Sequence, residues 1–332
     1  MKIVAFLGEA YVRYGDSYVA QQTSAAFLQS VVGPDCVYVC SSVKENPNGE
    51  IAFSSEVPED KFYEFPLYTS TKGFLVSYIC SRAFRRQYRS LTLKVISEHP
   101  GAVFWVRSPS IGSLFFALEV LRADRKLFHH ICADISNTWR DAKYGYGEKL
   151  LAFVFSRYLR RVIRKICRHP NTTNLCTGRV LEDFSKKVAP HRTFQFVDLL
   201  ERAKYSPFCP QRTVQNVCTF LFVGRIVEDK GIFDILDVLA RSDLRARLIV
   251  VGDGPDFDAA HSLAERLGLA DRVYFVGQVP YAKLSEFYGA CDLVIVPSKN
   301  RYEGFPRVIM ESWGYGKPII VSDVGGIRAF VE

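Results

Sequence analysis

The sequence has no C-x-x-C pair among its nine cysteines, and several of them stand inside apolar runs, namely Cys36, Cys40, Cys132 and Cys218. An odd, scattered set of cysteines argues against a disulfide framework and against a zinc site built on cysteine pairs. We therefore interpret these residues as reduced core thiols of a cytosolic protein.

Long apolar runs and low-complexity tracts are also missing. No run reaches the roughly 18 apolar residues that a membrane-spanning helix needs. The apolar stretch from Met1 to Gly8 is short and is followed by Glu9 and Arg13, so it predicts a buried first strand rather than a signal peptide. The length of 332 residues and the 48% hydrophobic content favour two folded domains, soluble or at most held at a membrane surface.

The charge is divided unevenly along the chain. Residues 1–200 carry 27 Lys and Arg against 18 Asp and Glu, whereas residues 201–332 carry 16 against 17, so the net charge of +8 comes from the first part. Charge of one sign confined to one half indicates an anionic partner for that half. Because no nucleic-acid recognition motif accompanies the charge, we do not expect nucleic acid to be that partner.

The second half of the sequence has the pattern of a doubly wound α/β domain. Short apolar runs typical of buried parallel strands alternate with segments of helical period. The predicted strands are Val217–Val223, Arg247–Val251, Val273–Val276, Leu293–Val296 and Pro318–Val321, and the predicted helices are Gly231–Arg241, Phe257–Leu267, Tyr281–Tyr288 and Pro306–Tyr315.

The first half repeats this alternation less regularly. The predicted strands are Ile3–Leu7, Val37–Cys40, Val103–Val106, Leu127–Ala133 and Thr173–Leu175, and the predicted helices are Tyr18–Val31, Phe74–Ile96, Ser110–Leu121, Lys149–Ile166 and Arg179–Lys186. Asn46–Asp60 is predicted to be a loop or a strand-like excursion. The boundary between the halves is expected near Asp198–Asn216, which gives domains at 1–200 and 201–332 with a ligand cleft between them.

Four loops that follow strands of the second half are candidates for a binding site. The first, GRIVEDKG, places Arg225 and Lys230 after a strand, as a diphosphate site would require, although solvated side chains beside a turn would look the same. The second, GDGP at Gly252–Pro255, lets the chain pass close to a ligand or to another backbone, or is a plain turn. The fourth is the glycine-rich turn at Ser322–Gly326.

The third loop, PSKNRYEGFPRVIMES, leads into a helix with Pro306 at or near its first position. The N–H groups at such a helix start favour an anion. Glu303 and Glu311 flank this start, and a carboxylate beside a phosphate site is unfavourable unless it has another partner. Sugar or ribose hydroxyls would be that partner.

The run from Gly224 to Gly326 resembles the donor-binding domain of the family-4 retaining glycosyltransferases, which have the GT-B fold of two Rossmann-like domains. The motifs FVGR, DKG, VVGDGP, RVYFVGQV, DLVIVPS, EGFPRVIMES and GKPIIVSDVGG follow in the family's order over about a hundred residues. The resemblance implies an α/β GT-B protein that moves a sugar from a UDP- or GDP-sugar to a glycan or lipid-linked acceptor, without a cofactor or metal.

The resemblance also implies roles for single residues. Arg225 and Lys230 would bind the donor diphosphate. Glu303, the first carboxylate of the E-x7-E pattern, would contact the transferred sugar, and Glu311 would bind the ribose hydroxyls. Backbone N–H groups at Gly304 and Phe305, just before Pro306, would hold the phosphates or the sugar, and Gly252 would lie at the donor.

The resemblance is fainter over residues 1–200. Tyr14–Ser17 takes the place of the family's Gly-rich loop after the first strand, with Gly15 as its one glycine. Of the residues in LFHHICADISNTW, Asp134 is the preferred site residue, although it would serve equally well as a helix cap. His129 and His130 should point to opposite faces of their strand, so at most one of them would face a site.

Two basic segments, YICSRAFRRQYR at Tyr78–Arg89 and FSRYLRRVIRKICR at Phe155–Arg168, are typical of helices at an anionic membrane surface or of core helices with a solvated basic face. We expect a cytoplasmic protein, peripheral at the inner face of the membrane, in surface polysaccharide or glycoconjugate synthesis. Family members continue beyond Gly326, so we expect the chain to be truncated. A non-catalytic sugar-nucleotide-binding subunit and another GT-B enzyme, such as an epimerase, remain as alternatives.

Overall fold

The computed structural model describes residues 1–45, 53–68, 70–134, 139, 146–197, 217–299, 306–324, 327 and 331. The chain divides into two compact units, Met1–Leu200 and Glu201–Glu332. Each unit has its own sheet and its own apolar core.

The described part of the first unit contains nine strands and six α-helices. The strands are β1 Ile3–Tyr14, β2 Ser17–Ala20, β3 Val37–Lys44, β4 Ser55–Pro58, β5 Phe62–Phe65, β6 Val103–Ser108, β7 Leu127–Ile131, β8 Thr172–Cys176 and β9 Thr193–Gln195. The helices are α1 Ser24–Val32, α2 Thr71–Cys80, α3 Arg82–Glu98, α4 Ile111–Arg122, α5 Tyr146–Arg168 and α6 Arg179–Lys186.

The sheet of the first unit has a Rossmann-like order. Its parallel strands lie side by side as β5-β3-β1-β6-β7-β8-β9, while β2 pairs antiparallel with the far end of β1 and β4 pairs antiparallel with β2. The strand order reverses between β1 and β6. Such a reversal leaves a crevice at the carboxyl ends of the strands, where ligands of open α/β sheets bind.

Side chains of β1 alternate between two cores because successive residues of a strand point to opposite faces. Val4 and Phe6 pack in the core beneath α2–α5, whereas Ile3, Ala5 and Leu7 pack in the core beneath α1. Burial on both faces explains why the strand appears in the sequence as a continuous apolar run.

The prediction of a helix over Tyr18–Val31 was wrong at its start. β1 continues to Tyr14, turns at Gly15, and returns as β2, with Val12 opposite Val19 and Arg13 opposite Tyr18. Gly15 has a φ of +58°, which a tight hairpin turn requires. The loop predicted to follow the first strand is therefore the tip of a hairpin.

The predicted single helix over Phe74–Ile96 is in fact two. α2 ends at Cys80 and α3 begins at Arg82, because Ser81 is extended and its hydroxyl accepts the N–H of Phe84 at 3.2 Å. Strand β7 ends at Ile131, two residues before the predicted end. The short strands β5 and β9 were not predicted.

The described part of the second unit contains five strands and four α-helices. The strands are β10 Cys218–Val223, β11 Ala246–Val251, β12 Val273–Gly277, β13 Leu293–Val296 and β14 Ile319–Val321, and the helices are α7 Ile232–Arg241, α8 Phe257–Arg266, α9 Leu284–Ala290 and α10 Arg307–Gly314. All five strands are parallel in the order β12-β11-β10-β13-β14, with the reversal between β10 and β13. The prediction of a doubly wound α/β domain is confirmed.

The prediction of core thiols holds for Cys40, Cys167, Cys176 and Cys291, which are buried, whereas Cys36 and Cys132 are half-buried. It is wrong at Cys80 and Cys218, which are exposed because Cys80 is the last residue of α2 and Cys218 is the first residue of β10. Within the residues the structure describes, no helix combines the length and hydropathy needed to cross a bilayer.

Candidate functional site

The loops that follow β10, β11 and β13 are bonded to one another at the carboxyl edge of the second sheet. Ile226 N donates to the carbonyl of Asp253 at 3.0 Å, and Glu228 N donates to the carboxylate of Asp256 at 2.8 Å. On the other side, Lys299 N donates to the carbonyl of Asp229 at 2.8 Å. The β10 loop is thus held between its two neighbours, at the reversal of strand order where ligands of this fold class bind.

Three glycines make this close approach of the loops possible. A Cβ atom at Gly252 would overlap the carbonyl oxygen of Gly224 and lie 2.9 Å from its carbonyl carbon. A Cβ atom at Gly254 would overlap the carbonyl oxygen of Ile226, and one at Gly231 would overlap that of Pro297. Of the readings considered for GDGP, the structure therefore supports contact with another backbone, and a contact of Gly252 with a nucleotide stays a prediction.

Of the two cations of the β10 loop, Arg225 precedes a short 3-10 turn at Glu228–Lys230 and Lys230 is the last residue of that turn. Arg225 is exposed and Lys230 is half-buried. Gly231, with a φ of +78°, ends this turn in the left-handed conformation and leads directly into α7. Both side chains therefore belong to a loop whose backbone is fixed from two sides, which suits preorganised binding of an anion.

The β13 loop is fixed by an ion pair as well as by its backbone. Lys299 Nζ lies 2.7 Å from both carboxylate oxygens of Asp234, in the first turn of α7. About half of each side chain is exposed, so the pair contributes less than about 1 kcal/mol to stability. Its effect is geometric, because it fixes the position of Lys299 relative to α7.

Of the predicted site residues that the structure describes, Glu311 is the most buried, with 7% of its surface exposed. The hydroxyl of Tyr288, itself fully buried, donates to its Oε2 at 2.8 Å, and the Tyr288 ring stacks on Tyr315 at a centroid distance of 4.8 Å. Burial raises the pKa of Glu311, while hydrogen bonds from Tyr288 and Tyr281 and the charge of Arg307 oppose that rise. These partners favour the ionised carboxylate, which is the form that accepts hydrogen bonds.

Pro306 immediately precedes the first residue of α10 and has extended backbone angles, in agreement with the prediction that it lies at or near the helix start. Glu303, Gly304 and Phe305 lie outside the described residues. The first-turn N–H groups of α10 follow a strand next to β10, so they and the β10 loop lie on the same edge of the sheet.

The first unit has a cavity of about 420 Å³ at its own reversal of strand order. Its lining includes Gly8, Tyr68 and Ser110, and the hydroxyls of Tyr68 and Ser110 lie 3.0 Å apart. Gly8 has a φ of +72°, and a Cβ atom there would collide with the Ser110 side chain. Sequence reasoning missed this glycine and favoured Gly15. The signal that could have found Gly8 is its position directly after the first apolar run.

The remaining predicted residues of the first unit lie elsewhere. Gly15 lines a different, open cavity of about 860 Å³ beside the hairpin. Asp134 is half-buried and lies three residues beyond the end of β7. The contacts proposed for Gly15 and Asp134 are not tested by these positions and stay predictions.

The two histidines point to opposite faces, as alternation predicts, and both are buried. His129 Nε2 lies 3.0 Å from the hydroxyl of Ser108, and burial lowers the pKa of His129 to about 4. His130 Nε2 lies 2.9 Å from the hydroxyl of Thr177. Both imidazoles are core residues. Among the described residues, no group of His, Cys, Asp and Glu has the arrangement of a metal site.

Comparison with known proteins identifies the class of the second unit. Residues 211–332 match the family model of the glycosyl transferases group 1. A stretch of 114 residues is 34% identical to an uncharacterized glycosyltransferase of Methanocaldococcus jannaschii, covering 34% of this chain and 29% of the relative. Another of 109 residues is 33% identical to the putative teichuronic acid biosynthesis glycosyltransferase TuaC of Bacillus subtilis, covering 33% and 25%.

The matched stretches thus span between about a quarter and a third of these relatives. The structural similarity covers more of the chain than the sequence similarity does. HepE of Anabaena, whose crystal structure contains UDP, is similar over 100% of this chain and 83% of its own, with a TM-score of 0.65 and 20% identity. This likeness establishes the fold, and the prediction of an α/β GT-B protein is confirmed.

Proposed function

We propose that this chain is a retaining glycosyltransferase that moves a sugar from a UDP- or GDP-sugar to a glycan or lipid-linked acceptor in surface polysaccharide or glycoconjugate synthesis. The observation that carries the proposal is the bonded set of strand-end loops, which carries Arg225 and Lys230 at the same edge of the sheet as the start of α10. The group 1 match over residues 211–332 and the UDP bound by HepE support a nucleotide-sugar donor.

Each residue would act by its charge or its hydrogen-bonding capacity. Arg225 and Lys230 bind the diphosphate and stabilise the charge that develops on it as it leaves, without a metal. Glu311, held by Tyr288, accepts hydrogen bonds from the ribose hydroxyls. Glu303 binds hydroxyls of the transferred sugar, and the N–H groups of Gly304 and Phe305 bind the phosphates or the sugar.

The transfer would retain the configuration at the anomeric carbon. The acceptor hydroxyl attacks that carbon on the face from which the diphosphate departs, the carbon–oxygen bond to the diphosphate breaks, and the hydroxyl proton passes to the leaving phosphate oxygen. Positive groups that are already in place lower the barrier to this separation of charge. The first unit would supply the acceptor side, with Asp134 and Gly15 as its predicted contacts.

Calorimetric titration with UDP, GDP and 2′-deoxy-UDP, with and without added divalent metal, tests the donor site. We expect one nucleotide to bind without metal, and the Glu311→Gln variant to lose the preference for ribose over deoxyribose, because the neutral amide is a weaker acceptor. Glu265→Gln, an exposed change on α8, is the matched control. No binding by the folded chain would contradict the proposal, and binding without turnover of sugar conjugates would favour a non-catalytic subunit.

We also propose that the first unit contacts an anionic membrane surface at the cytoplasmic face. Helix α5 exposes Leu150, Leu151 and Val154 by 69%, 61% and 58%, and its exposed arginines include Arg157 and Arg161. Apolar side chains beside cations are the pattern of a helix that lies in a lipid interface.

Replacement of Leu150, Leu151 and Val154 by serine should weaken binding to vesicles of phosphatidylcholine and phosphatidylglycerol by about tenfold or more, because the buried apolar area is lost. Co-sedimentation measures the effect. Val31, Val180 and Val238, also exposed but on α1, α6 and α7, provide a triple-serine control. Equal binding of the two triple variants to the vesicles would show that α5 does not contact the membrane surface.

A further inference from the structure

A groove between α2, α3 and α4 is lined by five arginines and one carboxylate. The groove has a volume of about 610 Å³, and these residues are Arg82, Arg85, Arg86, Arg89, Arg122 and Glu119. It belongs to the first unit and shares no residue with the donor loops described above.

The single carboxylate is already occupied by two of the arginines. Arg122 Nη1 lies 2.5 Å from Glu119 Oε1, and Arg89 Nε lies 3.7 Å from the same oxygen. Within the described part of the chain, Arg82 and Arg86 are exposed and form no ion pair. Five positive charges therefore share one negative charge around one concave surface, which focuses a positive potential there.

The arginines are held by their positions in the helices. Arg82, Arg86 and Arg89 recur at spacings of four and three along α3, which places them on one face. Arg85 Nη1 donates to the carbonyls of Tyr78 at 3.0 Å and Ile79 at 3.1 Å, in the last turn of α2.

The pKa of Tyr78 reflects the positive charge of the arginines around it. Burial raises the pKa of Tyr78, and the charges of Arg89, Arg122 and Arg85 act against that rise. Three cations therefore lie within electrostatic range of one phenol that lines the groove.

We propose that this groove binds a diphosphate group. Guanidinium groups match phosphate oxygens in pairs of parallel hydrogen bonds and remain charged at every physiological pH. A solvated basic face would spread its charges, whereas here five arginines line one cavity whose single carboxylate is already paired with two of them.

The apolar surface at the groove indicates what the diphosphate can carry. Leu93 and the partly buried ring of Tyr78 line the groove, and Leu93 is 46% exposed. A hydrocarbon chain attached to the diphosphate would cover these side chains. A soluble diphosphate ester would use the arginines alone. Diphosphate binding does not depend on the proposed transferase activity; only the use of a lipid diphosphate as the acceptor rests on it.

The test uses the full chain with Arg225→Ala and Lys230→Ala, so that the donor loop does not contribute to binding. Calorimetry with inorganic diphosphate and with farnesyl diphosphate should give one site. Arg82→Gln with Arg86→Gln should weaken that site by about tenfold or more, because each guanidinium contributes charge-assisted hydrogen bonds. Both side chains are exposed, so the fold should be unaffected.

The matched control is Arg168→Gln with Arg179→Gln, which removes the same charge from exposed positions at the end of α5 and the start of α6. Equal weakening by the control pair, or no weakening by the groove pair, would overturn the proposal. Tighter binding of farnesyl diphosphate than of inorganic diphosphate, lost in Leu93→Ser, would assign the site to a lipid diphosphate. Equal affinities for the two probes would support the site with a soluble diphosphate as its ligand.

Discussion

Replacement of Lys230 by alanine is expected to slow sugar transfer by about 100- to 1,000-fold, which is the usual effect of removing one preorganised group that stabilises developing charge. Lys230 ends a turn that is bonded to the β13 loop, because the carbonyl of Asp229 accepts Lys299 N and Gly231 packs against Pro297. Its backbone is thus fixed at the strand end where we propose that the diphosphate binds. Arg225→Ala should have an effect of similar size.

The measurement is the steady-state rate of transfer from the nucleotide sugar that binds in calorimetry, together with the affinity for the free nucleotide. If Lys230 acts on the leaving group, kcat falls more than the affinity for the donor does. Lys283→Ala, at an exposed position before α9, is the control for loss of a lysine. A full rate in Lys230→Ala would exclude the assigned role.

Replacement of Gly231 by alanine is expected to destabilise the second unit by about 3 kcal/mol more than replacement of Gly277. Both glycines have a φ of +78°, so both substitutions carry the same strain of a left-handed alanine, about 1–2 kcal/mol. At Gly277 the added Cβ meets nothing within 4 Å, whereas at Gly231 it would overlap the carbonyl oxygen of Pro297. The difference therefore measures the contact between the β10 and β13 loops.

Hydrogen exchange of the β10 and β13 amides gives the free energy of opening of this unit alone, which is required because the chain has two units. We expect protection to fall at both strands in Gly231→Ala and to change less in Gly277→Ala. A similar loss of protection in the two variants would mean that the contact between the β10 and β13 loops does not contribute to the free energy of unfolding.

The second unit was the more predictable part of the fold. Its five strands and four helices lie within a few residues of their predicted bounds, because successive apolar residues such as Leu221 and Phe222 are buried on opposite faces of the sheet. The first unit was less predictable at β2, where Tyr18 and Val19 have the composition of either element. Only their pairing with Arg13 and Val12 across the hairpin makes them a strand.

The candidate site was predictable in its residue types and less so in its contacts. The apolar runs and glycines placed Arg225 and Lys230 after a strand, and the α10 pattern placed Glu311 in a helix. The hydrogen bond from Tyr288 to Glu311 joins residues 23 positions apart on different helices, so no local pattern indicates it. The convergence of Arg82 and Arg122 on one groove likewise depends on how α3 and α4 pack.

The sequence by itself determined the alternation of strands and helices and the loops that could carry an anion site, because burial and helical period are local properties of the chain. Only the tertiary structure decided that Gly252 and Gly231 make room for neighbouring backbone, that Glu311 is buried against Tyr288, and that Gly8 rather than Gly15 lines the cavity at the reversal of strand order in the first sheet. These features depend on distances between residues that are far apart along the chain, which packing of the whole unit sets.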